Sequence, residues 1–360
     1  METSRDEMIR IICEIWSKLL ATDVQPEDDF FDLGGYSLLT VNFVVDARQR
    51  GLEVPAGILN GNATPATIAD ALLAEASRNT AAQGSKDPDF SSVWETALSP
   101  LETEPARTLV PFVTEGEGTP VFCFHWGGGI VRFMRDLADS FRSGRPVYGL
   151  EAAGKWTRER PALSVVEMAS RYLSEIREVQ PQGPYLFVGP CAGGRIAYEA
   201  ARQLEQAGEK VAVLAVVNGM APGVSDLDPS WGLRELYDFR LASLRAKYEV
   251  PDLTTVLERL MADEVEIAHL DEGVDPADFF WSQAVWAAGA FAQDHYEPRL
   301  YGGEVTLFQL AKHADLPSSD WSRMAASTET YTFEGTSTLH LLRQSACAEL
   351  LAKKLAAYQG

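Results

Sequence analysis

Pro184-Tyr-Leu-Phe-Val-Gly-Pro-Cys-Ala-Gly-Gly-Arg195 is the stretch from which the rest of the chain is read. Its first half, Tyr185 to Val188, is a short run of aromatic, aliphatic and β-branched residues, which predicts a buried strand. From Arg195 onward the apolar residues fall at helical spacing, at Ile196, Ala197, Ala200 and Leu204. A strand that becomes a helix through Gly-x-nucleophile-x-Gly is a nucleophile elbow. Such a turn forces its central residue into a strained conformation, and a Cβ on either flank would crowd the neighbouring strand or helix. Gly189 and Gly193 remove both. The central position usually holds serine; here it holds Cys191. A thiol that merely packs a core would not need glycines on both sides of a sharp turn, so Cys191 is the candidate nucleophile.

Around the elbow, strands alternate with helices. Val121-Phe-Cys-Phe-His125 and Pro146 to Leu150 read as strands, and Val165 to Val179 as a helix with one apolar face. Val211 to Val217 is a continuous apolar run, as a central parallel strand requires. Val305 to Leu310 and Tyr331-Thr-Phe333 supply the last strands, and Ala346 to Tyr358 a closing helix. This order implies a mostly parallel sheet with helices on both faces. One segment, about 221–300, breaks the alternation. It is helical in pattern and dense in aromatics such as Trp231, Tyr237, Phe280 and Trp286. It reads as a helical lid at the carboxyl edge of the sheet, with part of its aromatic surface available to an apolar acyl chain.

The first 78 residues differ in character. They hold 13 acidic and 6 basic residues. Met8, Ile11, Ile12, Ile15 and Leu19 mark an amphipathic helix. Ser37 stands just before a second periodic run, and Thr64-Pro65 suits an N-cap followed by proline. The reading is a small all-α four-helix bundle over 1–78. A linker rich in small and polar residues follows over 79–107, then a larger α/β domain over 108–360.

Composition limits the function classes. No apolar run reaches the ~20 residues of a membrane span, and the N-terminus lacks the pattern of a signal peptide. The four cysteines, Cys13, Cys123, Cys191 and Cys347, have neither metal nor disulfide spacing, which fits a reduced cytoplasm and no metal site. A net charge of −21 argues against nucleic acid or an anionic membrane as partner.

Asp32-Leu-Gly-Gly-Tyr-Ser37-Leu, opening a helix inside an acidic bundle, resembles the attachment site of acyl and peptidyl carrier proteins. The resemblance implies a 4′-phosphopantetheine arm on Ser37, placed there by a phosphopantetheinyl transferase. A phosphodiester at a helix N-terminus meets free N–H groups and the positive end of the helix dipole, so the chemistry agrees.

Residues 108–358 resemble the α/β-hydrolase thioesterases that terminate nonribosomal peptide and polyketide assembly lines. The resemblance implies an α/β-hydrolase fold with Cys191 as nucleophile and an oxyanion hole. Its first donor would be the Ala192 N–H. The second would come from the loop His125-Trp-Gly-Gly-Gly129, with Gly127 preferred and Trp126 the rival. His125 matches the loop histidine of that family, which is structural. The base is a late histidine, and His340 lies beyond the final strand. Where the family often has Gly-x-His, this chain has Gly335-Thr-Ser-Thr-Leu-His340. The orienting residue is Asn218, where many relatives carry Asp, with Asp315 after the next strand as rival. Cys-His-Asn is a workable set, because a thiolate beside imidazolium leaves less proton transfer to the transition state.

The expected function is the terminal carrier–thioesterase pair of a nonribosomal peptide or hybrid synthetase. Upstream condensation and adenylation domains would be its partners, and a peptidyl or acyl thioester its substrate. The chain passes from the arm on Ser37 to Cys191 and leaves by cyclisation (macrocycle, β-lactone or β-lactam), aminolysis or hydrolysis. Two other readings are a proofreading hydrolase that clears stalled chains and a non-catalytic docking module with a degenerate hydrolase domain.

Overall fold

In the computed structural model of the chain the described residues are 4–30, 32–33, 43, 46–47, 50–52, 54, 63–79, 106–156, 159–223, 231–248, 255–256, 259–261, 276–314 and 316–358. Compaction divides the chain into two units, Met1–Phe90 with Ser225–Leu260 and Ser91–Val224 with Met261–Gly360.

In the first unit, helix α1 (Arg5–Leu20) begins at Ser4, whose hydroxyl accepts the Glu7 N–H at 3.4 Å. Asp6 and Glu7 lie in its first turn and Lys18 in its last, complementing the helix dipole at both ends. Its buried face, Ile11, Ile12, Ile15 and Trp16, is the one marked by the apolar spacing. The Trp16 ring packs on Phe30 at 4.9 Å and Phe43 at 5.7 Å between centroids. Helix α2 (Pro65–Asn79) starts at the expected proline and adds Ile68 and Leu72 to the same core. Ser37 and most of the helix expected after it lie outside the described residues.

The second unit is built on a seven-stranded sheet ordered β1-β3-β2-β4-β5-β6-β7. The strands are β1 (Leu109–Val113), β2 (Val121–Phe124), β3 (Val147–Leu150), β4 (Tyr185–Pro190), β5 (Val211–Val217), β6 (Tyr301–Leu310) and β7 (Ala325–Phe333). All neighbours pair in parallel except β1, which runs antiparallel to β3 at one edge. Successive strand residues face opposite sides. Phe122, Phe124, Phe187, Leu214 and Leu307 therefore meet helices α4 (Val165–Val179) and α5 (Gly193–Gln206) on one face. Val121, Cys123, Leu186, Val188 and Ala215 share the other face with α3 (Arg135–Phe141) and α9 (Ser345–Ala356). Both faces are covered, as a parallel sheet demands, and the architecture is that of an α/β hydrolase.

Two helices are described within the expected lid, α6 (Leu233–Tyr248) and α7 (Pro276–Asp294). They belong to different units. Phe239 of α6 packs against the apolar core of the N-terminal unit, whereas α7 packs over the sheet-bearing unit. A Cβ built on Gly129 would lie 3.0 Å from Val285 of α7, and one on Gly289 of α7 would lie 3.7 Å from the Gly127 carbonyl. Helix α7 thus covers the loop after β2. Strands β6 and β7 each begin several residues earlier than their apolar patterns suggest. Their added residues are mostly exposed or half-buried, which leaves little hydrophobic signature.

Candidate active site

Cys191 follows directly on β4, with φ of 50°. That is a left-handed conformation which a non-glycine residue adopts only where its surroundings impose it. Its N–H donates to the Val217 carbonyl at 2.9 Å, and its carbonyl accepts the Gly194 N–H at 3.0 Å. The flanking glycines are required by space. A Cβ on Gly189 would sit 2.5 Å from the Gly193 carbonyl oxygen, and one on Gly193 would sit 2.4 Å from that of His125. The elbow expected from the sequence is present.

Cys191 keeps solvent-exposed surface, whereas Cys123 and Cys347 are buried. Dense protein around the sulfur nevertheless pushes its thiol up from the ordinary value, and the Ala192 N–H, the Arg195 charge and the Gly127 N–H pull the other way. The exposure is that of the residue as a whole, and the desolvation that of its thiol group. Exposure governs whether a substrate reaches it. Cys123 and Cys347 are pushed up by burial alone, as inert core thiols are.

The N–H groups of Ala192 and Gly127 both favour the thiolate form of Cys191. A Cβ on Gly127 would stand 3.8 Å from the Ala192 Cβ, so the two peptides lie side by side. The Trp126 N–H is directed elsewhere, to the Ile130 carbonyl at 3.4 Å within its own loop. Trp126 also accepts the Gly129 N–H at 2.9 Å, and its ring stacks on Phe133 at 4.2 Å. His125 is buried between the Trp126 carbonyl, 2.7 Å from Nδ1, and the Tyr172 hydroxyl, 2.8 Å from Nε2. Burial pushes its imidazole down to about 4, so it is a neutral structural ring that holds the loop.

Asn218 sits at the end of β5, also left-handed with φ of 49°. Its N–H donates to the Phe308 carbonyl at 2.6 Å. Its Nδ2 donates to the Thr338 hydroxyl at 3.0 Å. Its Oδ1 accepts the Leu310 N–H at 3.4 Å and faces Nδ1 of His313 at 3.0 Å. His340 lies on α8 (Thr338–Arg343), solvent-exposed, with Nδ1 3.2 Å from the Thr336 hydroxyl. Residues two apart on a helix point to opposite sides. Thr338 faces Asn218, so His340 is turned away from it. Asn218 therefore meets His313 in this structure and not His340. Asp315 lies outside the described residues.

Further residues hold the elbow in place. Gln293 of α7 donates from Nε2 to the Ala192 carbonyl at 3.1 Å. Arg195 donates to the carbonyls of Met220 at 3.2 Å and Gln293 at 3.4 Å. One turn on in α5, Glu199 is fully buried and ion-paired with Arg202 at 2.8 Å, and it accepts the Tyr296 hydroxyl at 2.6 Å. Burial would raise the Glu199 carboxyl, but Arg202, Tyr296 and Gln203 together hold it below its ordinary range. Apart from the Glu199–Arg202 pair, three residues apart on α5, these contacts join segments far apart in the chain and have no local sequence signal.

Among the described residues no helix is long and apolar enough to cross a membrane. Residues 119–335 match the family model described as thioesterase domain, and residues 10–72 that of the phosphopantetheine attachment site. The dimodular nonribosomal peptide synthase of Bacillus subtilis (strain 168) is 29% identical over 306 residues, 83% of this chain and 12% of that protein. Malpibaldin synthetase of Mortierella alpina is 34% identical over 212 residues, 58% of this chain and 3% of that protein. The chain thus spans only a small part of the curated relatives it matches. The crystal structure of a four-domain nonribosomal peptide synthetase bound to AMP and glycine superposes with a TM-score of 0.58 at 21% identity, covering 100% of this chain and 26% of that one. The chain belongs to the thioesterase domain family, with a phosphopantetheine-attachment domain ahead of its hydrolase fold.

Proposed function

We propose that this chain is the carrier and release end of a nonribosomal peptide assembly line, a type I thioesterase acting through Cys191 on a chain delivered from Ser37. The domain limits that go with this reading are 1–78, 79–107 and 108–360. A phosphopantetheine arm on Ser37 would present its acyl load as a thioester. The remaining steps belong to this chain's own residues. The sulfur of Cys191 attacks the thioester carbonyl carbon, and the N–H groups of Ala192 and Gly127 receive the oxygen as it becomes anionic. Removing one such donor typically costs about 3 kcal/mol of barrier. The observation that carries the reading is an exposed, left-handed Cys191 in a glycine-flanked elbow, beside which the peptides of Ala192 and Gly127 lie next to each other. Trp126 is a weaker second donor, since its N–H turns to Ile130. Asn218 orients an imidazole. His340 is the base expected from position along the chain, and the imidazole that Asn218 meets is that of His313.

With cysteine the acyl-enzyme is itself a thioester, so transfer from the arm conserves the activation of the bond. That leaves more driving force for release than an oxoester would. We therefore assign release to amide or ring formation, by aminolysis or by closure of a macrocycle, β-lactone or β-lactam. The upstream partners are condensation and adenylation domains, and the compartment is the cytoplasm. Mass spectrometry of the intact protein after incubation with a synthetic acyl-pantetheine tests the reading. An acyl adduct on Cys191, absent in Cys191→Ala, is expected. Failure of the wild type to take up an acyl group would return the chain to a non-catalytic docking module. Only linear acid among the products across chain lengths would overturn the release assignment and favour a hydrolase that clears stalled chains.

A further inference from the structure

Cys191, Asn218 and His313 follow the carboxyl ends of three consecutive strands, β4, β5 and β6. The first two are joined through the backbone, Cys191 N–H to the Val217 carbonyl at 2.9 Å. A Cβ on Gly219 would lie 2.7 Å from the Cys191 carbonyl oxygen, so the peptide after Asn218 runs directly beneath the elbow. The second and third are joined through side chains, at 3.0 Å. His313 reaches that position on a single turn of 3-10 helix, Ala311–His313, that caps β6.

The direction of the Asn218–His313 bond is fixed by a third group. A backbone N–H can only donate, and the Leu310 N–H points at the same Asn218 atom at 3.4 Å. The Nδ2 end is occupied in turn by donation to Thr338 at 3.0 Å. The atom facing His313 is therefore the carbonyl oxygen, and His313 must donate from Nδ1. That assignment places the proton on Nδ1 and the lone pair on Nε2, the tautomer a general base requires. The half-buried ring is pushed down to about 4 by burial and by the neighbouring Lys312 charge, so before the step it is neutral, with its one proton on Nδ1. His340 lacks this arrangement: its Nδ1 faces the Thr336 hydroxyl at 3.2 Å, and the ring is exposed.

We infer that His313, oriented by Asn218, is the base that serves Cys191, in place of the histidine after the last strand. The inference rests on Cys191 being the nucleophile. In the step assigned to it, the thiol proton passes from the Cys191 sulfur to Nε2 of His313, and the sulfur forms a bond to the thioester carbonyl carbon. The tetrahedral intermediate collapses with cleavage of the bond to the arm's sulfur, and the departing thiolate takes the proton back from Nε2. Asn218 keeps its acceptor on Nδ1–H throughout and is a positioning residue.

The test uses the full chain and two readouts. One is the rate of Cys191 acylation by a synthetic acyl-pantetheine, followed by intact mass. The other is the pH dependence of Cys191 alkylation by iodoacetamide, which needs no acyl substrate. His313→Gln should lower acylation by roughly 100-fold or more, the contribution of a general base. It should also shift the alkylation profile towards that of an isolated thiol, and its effect on both readouts should exceed that of His340→Gln. Asn218→Leu should reproduce much of the His313→Gln effect and add little to it in the double variant. If His313→Gln does not fold, Asn218→Leu and the His340→Gln profile still decide. His313→Gln with wild-type acylation and alkylation, or loss confined to His340→Gln, would overturn the inference while Cys191 acylation in the wild type stands. A wild type that is alkylated but never acylated would instead remove the proposed function on which the inference rests.

Discussion

Gly193→Ala puts the oxyanion site under a defined load. The added Cβ would lie 2.4 Å from the His125 carbonyl oxygen and 3.1 Å from that of Phe124. Real Cβ atoms keep at least 3.0 Å from such neighbours, so the gap must open by about 0.6 Å. Both contacts are backbone, and neither can rotate aside. His125 begins the loop that carries Gly127, and position 193 directly follows Ala192. The displacement therefore separates the two N–H donors from each other. Overpacking of this size costs about 1–3 kcal/mol of stability, and misplacing one donor costs about 10²–10³ in rate. The assay is single-turnover acylation of Cys191 from a free acyl thioester, read by intact mass, beside a thermal melt. Gly128→Ala is the control. Its Cβ would meet only the Trp126 side chain, 3.5 Å away at Nε1, an ordinary contact in the same loop. A folded Gly193→Ala protein that acylates within about threefold of wild type, a barrier change under 1 kcal/mol, would refute the assignment of Ala192 and Gly127 to the oxyanion.

Cys191→Ala should abolish the acyl-enzyme while leaving the melt near wild type, since the residue keeps exposed surface; intact mass after substrate addition checks the first point and a thermal melt the second. Ser37→Ala should block mass gain from coenzyme A and a phosphopantetheinyl transferase, with turnover of free thioesters unchanged. Glu199→Gln removes the buried carboxylate paired with Arg202 and should lower stability by about 1–3 kcal/mol at neutral pH. Because the folded carboxyl is held below its ordinary range, its contribution is complete above that range and is lost as pH falls through the folded value. Melts of the wild type should therefore fall more steeply on acidification than those of Glu199→Gln. Gln293→Ala frees α7 from the Ala192 carbonyl and should raise KM for a long acyl thioester more than for acetyl thioester, as measured by steady-state kinetics.

Much of the sheet could be read directly from the chain, because burial on two faces writes itself as unbroken apolar runs. Strand Val211–Val217 has in the structure the limits its run suggests, and so does the helix Val165–Val179, read from the spacing of its one apolar face. Strand β1 and the early parts of β6 and β7 carry mixed residues at partly exposed positions and leave no such mark. The elbow was legible for a different reason, since its glycines are demanded by backbone contacts under 3 Å. The pairing of Asn218 with His313 was not legible. It depends on which way a single 3-10 turn points and on the Leu310 N–H, and neither follows from residue type. The grouping of 225–260 with the N-terminal unit was hidden likewise, because Phe239 shows its destination only in three dimensions.

Two neighbouring strand ends in this sheet hold non-glycine residues in left-handed conformation, Cys191 and Asn218. In both the strain is imposed by main-chain bonds, from Cys191 N–H to Val217 and from Asn218 N–H to Phe308. The side chains are passengers on a backbone that is already set. Exchanging sulfur for oxygen at 191, or amide for carboxylate at 218, would therefore alter reactivity while leaving the aim of each group in place. Such a scaffold lets chemistry be revised one atom at a time, and Cys191→Ser, Asn218→Asp and their combination form a ready-made series in which rate and product can change over a constant geometry.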